Sequence, residues 1–485
     1  MNVIIEPKDN IYARIECEPG IAQEISDFFT FTVPGAQFSP QYRNKYWDGK
    51  IRLFSTKTNL IYAGLVQHVI KFCEEFGYTY EDKTDYIGST KDIEDTALKL
   101  LKPNNLPLEP RKYQLAAFAM AVAKKRTVIV SPTASGKSLI IYLIVRHLRA
   151  NLKKQGLLIV PTISLVEQMY SDFASYGWNV DKNCQKIYQG MEREPTAPLV
   201  ISTWQSIYDM PKKYFANFDY VIGDEAHTFK AKSLTAIMTK LVNCDYRIGT
   251  TGTLDGTKVN KLVLEGLFGP VRQMVTTREL IEQKHLADFE IKSLVLKYPE
   301  SVCKEMKGRS YQEEIDFLVS SESRNNFIRN LTLSLDGNTL LLYTYVEKHG
   351  KILHELIEEK AKDRKVFFVF GGTDVLDREE VRHITEKETN AIIVASYGTF
   401  STGINIRNLH NIIFASPTKS RIRSLQSIGR GLRLGENKEK AVLYDIADDL
   451  RYKSYTNFTL KHYEERVQMY NSEKFPLSIH NVNMP

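Results

Sequence analysis

No apolar run in the 485-residue sequence approaches the roughly 20 residues that cross a bilayer, and the opening MNVIIEPKDN has no basic segment ahead of a long apolar one. A membrane-spanning or exported chain is therefore not expected, and a cytoplasmic one is. Cysteine is scarce: Cys17, Cys73, Cys184, Cys244 and Cys303 lie far apart with no C-x-x-C spacing, which signals neither a zinc site nor a disulfide framework. No tract is low in complexity. Neither sign of charge dominates, with 65 Lys and Arg against 58 Asp and Glu and a net charge of +7. An excess that small suits a polyanionic partner without requiring one.

What is present is a repeated pattern of short β-branched runs. TVIVS (127–131), GLLIVP (156–161), LVIST (199–203) and YVIGDE (220–225) alternate with helix-like segments, as do TLLLYT (339–344), KVFFVF (365–370), AIIVAS (391–396), NIIFAS (411–416) and AVLYDI (441–446). Runs of four to six, bounded by turn residues and separated by amphipathic stretches, read as buried strands of parallel α/β sheets. Two such domains in tandem are expected, at 109–270 and 286–455. A connector fills 271–285 and a helical tail follows at 456–485. Residues 1–90 have a mixed α+β texture, and LKPNNLPLEP (101–110) marks a linker, placed at 91–108.

The chemistry concentrates after two strands of the first series. TVIV runs into SPTASGKS and then a helix, the context of a phosphate loop, although Ser131 stands where the first glycine of G-x-x-x-x-G-K-[ST] belongs. Serine suffices if that residue needs no positive φ, whereas Gly136 at the helix entrance has less freedom. Pro132, Thr133, Ala134, Ser135, Gly136, Lys137 and Ser138 are thus the expected nucleotide cradle. YVIGDEAH ends a strand with Asp224 and Glu225, so that Asp224 can hold Mg²⁺ together with Ser138 while Glu225 orients and deprotonates the attacking water.

SPTASGKS read with DEAH (224–227) resembles the superfamily 2 helicases and translocases. Further motifs follow in that family's order: RKYQ (111–114), PTISLVEQ (161–168), ISTWQS (201–206), GTTGTL (249–254), LLYTYVEKHG (341–350), ASYGTFSTGINIRNL (395–409) and QSIGRGLR (426–433). The resemblance implies two RecA-like domains, ATP and Mg²⁺ as cofactors, and adenine contacts from Arg111 and Gln114. Gln426 with arginine fingers Arg430 and Arg433 would act on the γ-phosphate, and Thr251, Gly252 and Thr253 would couple hydrolysis to movement. Strand contacts would come from Thr162, Thr203, Thr344, Thr402 and Gly403. Asn405 stands where relatives often carry aspartate, and the coupling triplet is threonine-first.

The N-terminal QYRNKYWDGKIRLF (41–54) interleaves Arg43, Lys45, Lys50 and Arg52 with aromatic residues, and its Asp48-Gly49 pair predicts a hairpin that could present cations to phosphates. With FFTFTVPGAQFSP ahead of it, the segment resembles the UvsW family of phage recombination helicases. That resemblance implies a monomeric motor acting on forks, junctions and R-loops in recombination and repair, in the host-cell cytoplasm. An RNA helicase of related build, the motor part of a restriction system and a nucleotide-switched binding protein remain alternatives.

Overall fold

The computed structural model describes residues 2–33, 35–84, 109–230, 232–254, 257–399, 406, 408–416, 420, 424–425, 427–429, 432, 438 and 440–485. The linker at 91–108 lies outside them. The chain divides into two compact units, Met1–Ser131 with Gly136–Met274, and Pro132–Ser135 with Val275–Pro485.

The first unit begins with β1 (Asn2–Pro7), β2 (Tyr12–Glu16), β3 (Thr30–Thr32), β4 (Lys50–Arg52), β5 (Phe54–Ser55), β6 (Leu60–Tyr62) and β7 (Thr79–Asp82). Five of these form a mixed sheet in the order β5-β6-β2-β1-β7, while β3 and β4 make a separate antiparallel ribbon. Helices Pro19–Phe28 and Val66–Phe76 bury Ile21, Ile25, Val69 and Phe72. The hairpin expected at Asp48-Gly49 is not formed. Its downstream arm is β4, but β4 pairs with β3, Thr30 opposite Arg52 and Thr32 opposite Lys50. The upstream arm instead turns through a short helix, Pro40–Arg43. The strand partner lies some twenty residues back in the chain, beyond the reach of a local turn signal.

The same unit continues with β8 (Arg126–Val130), β9 (Gln155–Val160), β10 (Cys184–Ile187), β11 (Leu199–Thr203), β12 (Phe218–Asp224), β13 (Tyr246–Thr251) and β14 (Val271–Gln273). They form one parallel sheet in the order β10-β11-β9-β12-β13-β8-β14. Residues 271–273, read from sequence as the start of a connector, pair with β8 and so belong to this sheet. Its inner strands β8 and β11 are buried along their length, as near-continuous apolar runs require when helices cover both faces.

The second unit holds β15 (Asp288–Lys297), β16 (Thr339–Tyr343), β17 (Val366–Val369), β18 (Ile392–Ser396), β19 (Asn411–Phe414), β20 (Lys440–Asp449) and β21 (Leu477–Asn483), again all parallel, in the order β17-β18-β16-β19-β20-β15-β21. The tail expected to be helical is so only over Phe458–Ser472, and β21 closes it by pairing with β15. Arg324 and Asp448, both fully buried, meet at 2.8 Å and tie helix Glu322–Ser334 to the end of β20.

The N-terminal sheet is not an appended bead. Its apolar residues and those of one face of the first parallel sheet form a single cluster, joined through helix Lys258–Phe268. At the junction Gly64 lies so near that helix that an added Cβ would sit 1.9 Å from the Glu265 carbonyl oxygen. His68 Nε2 meets Glu265 Oε2 at 2.8 Å, and Asn10 donates to the Val242 carbonyl and to Asp245. Any side chain at position 64 must push backbone away. Gly64→Val is expected to cost about 1–3 kcal/mol. It should also speed proteolytic release of the N-terminal domain, as followed by limited digestion against the wild type.

Candidate nucleotide site and strand contacts

β8 leads through 131–136 into helix Lys137–Asn151. The Ser131 N–H donates to the Thr251 carbonyl at 2.9 Å, an ordinary β-ladder continuation, and Ser131 keeps φ out of the left-handed region. Gly136 has φ +79°, and a Cβ there would meet the Gln114 amide nitrogen at 2.5 Å. The two positions therefore divide as expected from their backbone demands. Ala134 also lies at positive φ, +68°. Gln114 is buried, and both ends of its amide are engaged: its oxygen accepts from the Arg111 N–H at 2.8 Å, and its nitrogen donates to the Gly136 carbonyl at 3.4 Å. It thus braces the phosphate loop against the segment that precedes it. Arg111 donates to the Tyr113 hydroxyl.

β12 delivers Asp224 to the same carboxyl edge of the sheet. Asp224 is 3% exposed and takes a hydrogen bond from Thr250 at 2.7 Å, its neighbour in register on β13. Burial, reinforced by the adjacent Glu225 carboxylate, pushes the Asp224 carboxyl up, and Lys137 and the Thr250 hydrogen bond offset this only in part. Glu225 sits at φ +50°, with Oε1 3.8 Å from Lys137 Nζ and Oε2 3.3 Å from His227 Nδ1. His227 Nδ1 also lies 2.9 Å from the Thr251 hydroxyl, whose own proton goes to the Thr253 carbonyl. That leaves His227 Nδ1 as the donor. The imidazole thus gives its Nδ1 proton to Thr251 and lies beside the Glu225 carboxylate. Ser138 Oγ shares a hydrogen bond with the Tyr176 hydroxyl at 2.9 Å.

A buried carboxylate beside a second one, with a nearby lysine that does not fully compensate, is a site short of positive charge. That electrostatic deficit fits a divalent cation, and the Asp224 carboxylate and Ser138 hydroxyl offer oxygens of the hard type that Mg²⁺ takes.

The expected strand-contacting residues are placed unequally. Thr162 follows β9 and Thr203 ends β11, at the edge that carries the phosphate loop and Asp224. Thr162 caps helix Ile163–Ser175 through the Leu165 N–H, whereas Thr203 is buried with its hydroxyl on Ser206. Thr344, after β16 in the second unit, is exposed and its N–H donates to Ser416 Oγ. His349 organises this turn. Burial and the Arg324 charge hold its imidazole down to about 3, so it is neutral. Its Nε2 donates to Asn325 Oδ1 at 3.2 Å, which leaves Nδ1 to accept from the Ser416 hydroxyl at 3.0 Å. Thr402, Gly403, Gln426, Arg430 and Arg433 lie outside the described residues. In the N-terminal domain Arg43, Lys45, Lys50 and Arg52 are all exposed, and Arg52 is paired with Asp48 at 2.5 Å.

Sequence reasoning did not single out His227, Thr250, Tyr176, His349 or Ser416. His227, Thr250, His349 and Ser416 were in view within DEAH, GTTGTL, LLYTYVEKHG and NIIFAS, but their roles, like that of Tyr176, show only through partners across the fold.

A parallel sheet with a phosphate loop after one strand and an acidic pair after another is the nucleotide-binding half of a P-loop motor. Comparison with known proteins agrees. Residues 107–256 match the family described as type III restriction enzyme, res subunit, residues 323–435 the helicase conserved C-terminal domain, and residues 2–81 the N-terminal domain of the DNA helicase UvsW. The chain is 34% identical to the ATP-dependent DNA helicase uvsW of Enterobacteria phage T4 over the whole of both proteins. The crystal structure of T4 UvsW superposes with a TM-score of 0.52 at 33% identity, again covering all of both chains. The DNA 3'-5' translocase XPB2 of Sulfurisphaera tokodaii is 25% identical, over 70% of this chain and 81% of its own. The chain belongs to the UvsW family of superfamily 2 helicases.

Two substitutions separate the roles at the acidic pair. Glu225→Gln should keep nucleotide binding but lower turnover about 100-fold or more, the scale of a missing general base. Fluorescent-nucleotide titration alongside steady-state hydrolysis checks this, and a failure to bind nucleotide would exchange the roles of Asp224 and Glu225. His227→Ala should leave nucleotide affinity near wild type and reduce the stimulation of turnover by DNA, measured as the ratio of stimulated to unstimulated rates.

Proposed function

We propose that this chain is an ATP-dependent DNA helicase and translocase that remodels branched DNA, moving junctions, regressing forks and displacing RNA from R-loops. The observation that carries the reading is the connected cluster of Lys137, Asp224, Glu225, His227 and Thr251, joined to an N-terminal domain of the UvsW type that shares a core with the motor. Lys137 and the N–H groups at the entrance of helix Lys137–Asn151 bind the β- and γ-phosphates. Glu225 orients and deprotonates the attacking water, and His227, bonded to Thr251, lies beside Glu225. Asp224 and Ser138 would hold Mg²⁺, which would supply positive charge to the phosphates. Gln426, Arg430 and Arg433 are assigned to the γ-phosphate on their motif. Thr162, Thr344, Thr402 and Gly403 contact the DNA backbone without reading sequence. Buried Thr203 supports the turn after β11.

Hydrolysis measured with forked DNA, linear duplex, single strand and RNA tests the reading. Forked DNA should stimulate most. Equal stimulation by RNA would favour an RNA helicase, and no turnover with any nucleic acid would favour a nucleotide-switched binder. Changing Arg43, Lys45, Lys50 and Arg52 together to alanine should weaken fork binding and reduce the log–log salt slope by about 0.9 for each phosphate that is no longer neutralised. Parallel slopes with equal affinities would remove the N-terminal domain from the DNA interface.

A further inference from the structure

The N-terminal domain carries an aromatic protrusion that the fold does not use. Between Val33 and β4 the chain makes a 3-10 turn, Ala36–Phe38, then the helix Pro40–Arg43, and returns to β4. Tyr46 and Phe38, 85% and 70% exposed, are the two most exposed aromatic side chains among the described residues, and Tyr42 between them is 41% exposed. Phe38 and Tyr46 stand in water, while the Tyr42 ring between them lies over Gly49, where an added Cβ would meet it at 2.9 Å. The other aromatics of the segment behave differently: Phe54 is buried in the core, and Trp47 donates its indole N–H to the Lys50 carbonyl at 2.8 Å.

The protrusion is nonetheless built. The N–H groups of Tyr46 and Trp47 both donate to the Gln41 carbonyl, Arg43 N–H to Ser39, and Val33 N–H to the Gly49 carbonyl at 2.8 Å. Its rings are therefore held out by a closed hydrogen-bonded turn anchored to the β3–β4 ribbon. Its charge is one-sided as well. From Phe28 to Cys73 the only acidic residue is Asp48, which is paired with Arg52, while Arg43, Lys45 and Lys50 alternate with the exposed rings.

We infer that Phe38, Tyr42 and Tyr46 form a stacking platform for unpaired DNA bases, with Arg43, Lys45 and Lys50 holding the adjoining phosphates. The inference rests on the reading of this chain as a motor on branched DNA, which places those unpaired bases at the branch point. Rings interleaved with cations match a single strand, whose bases offer π-faces beside a negative backbone whatever the sequence. A protein partner fits less well, because the centres of protein interfaces are depleted in lysine, and here lysines flank the rings. A platform of this kind would hold the first unpaired base off its neighbour while the motor advances, and so favour junctions over uniform duplex.

The test uses the full chain with a fork carrying 2-aminopurine at the first unpaired position, and a second fork carrying it deep in a duplex arm. Phe38→Ala/Tyr46→Ala should weaken fork binding about tenfold or more, the scale of one or two bases left without a ring to stack on. It should also abolish the fluorescence change at the branch point while leaving the duplex-arm signal as in wild type. Phe38→Trp/Tyr46→Trp should restore both, and thermal melting shows that the variants are folded. Wild-type affinity and an unchanged branch-point signal in the alanine pair would overturn the inference, and would point to a protein partner for the rings. A wild-type protein that binds single strands and forks equally, with the signal still abolished in the alanine pair, would support the platform and sink the branched-DNA reading instead.

Discussion

The hydrogen bond from Thr250 to Asp224 is the interaction on which the site is hung. It joins adjacent parallel strands at the residue pair where both reach the carboxyl edge, and the next residue of β13, Thr251, is tied through its carbonyl to Ser131 at the start of the phosphate loop. A slip of one residue in either register would turn Asp224 towards the opposite face. Register is secured by packing just below: a Cβ on Gly223 would come within 2.6–2.9 Å of the Phe229 and Phe268 rings, so only glycine admits both beneath the acidic pair. The desolvated carboxylate is tolerated because a hydroxyl and an ammonium face it.

From that edge one continuous line runs to the N-terminal domain. Thr251 closes on the Thr253 carbonyl, the chain passes on to helix Lys258–Phe268, and that helix is the surface on which Gly64 and His68 rest. Glu265 is held at both carboxylate oxygens. Burial by itself would raise its carboxyl, yet the bonds from His68 and from the Val271 N–H bring it below its ordinary value. The charge is thereby fixed at the seam, and Lys258 spans the same seam by lying over the Phe28 and Phe31 rings at 5.8 and 5.7 Å. Helix Lys258–Phe268 is thus packed against the N-terminal domain by an apolar cluster, a close backbone approach at Gly64 and a charged seam at Glu265.

The sequence was most legible where local rules and the fold agree. The buried strands of both sheets announce themselves as β-branched runs, and the phosphate loop and acidic pair carry their chemistry in adjacent residues. It was least legible where a partner is distant or a strand is wet. β21 reads LSIHNVN, with most of its side chains exposed at the sheet edge, and so lacks the apolar run that marks its neighbours. The β3–β4 ribbon pairs residues some twenty apart, while Asp48-Gly49 suggested a turn between adjacent arms. The expectation that Gln114 reads adenine followed its motif. Its burial against Gly136 shows a bracing role that no spacing encodes.

The Thr344 turn shows how a histidine can be structural without becoming a switch. Were His349 to protonate, Nδ1 would become a donor facing the Ser416 hydroxyl, and Ser416 would lose the acceptor that orients it towards the Thr344 N–H. Burial and Arg324 place that event near pH 3, far below any working condition. Arg324 is itself paired with Asp448, so burial is the larger reason the imidazole stays uncharged and the guanidinium adds to it. Because the Thr344 N–H is committed inward, the exposed hydroxyl is the group this turn can offer to a phosphate. A hydroxyl contact of that kind is weak and sequence-blind, which suits a strand that must be released and regripped at every step.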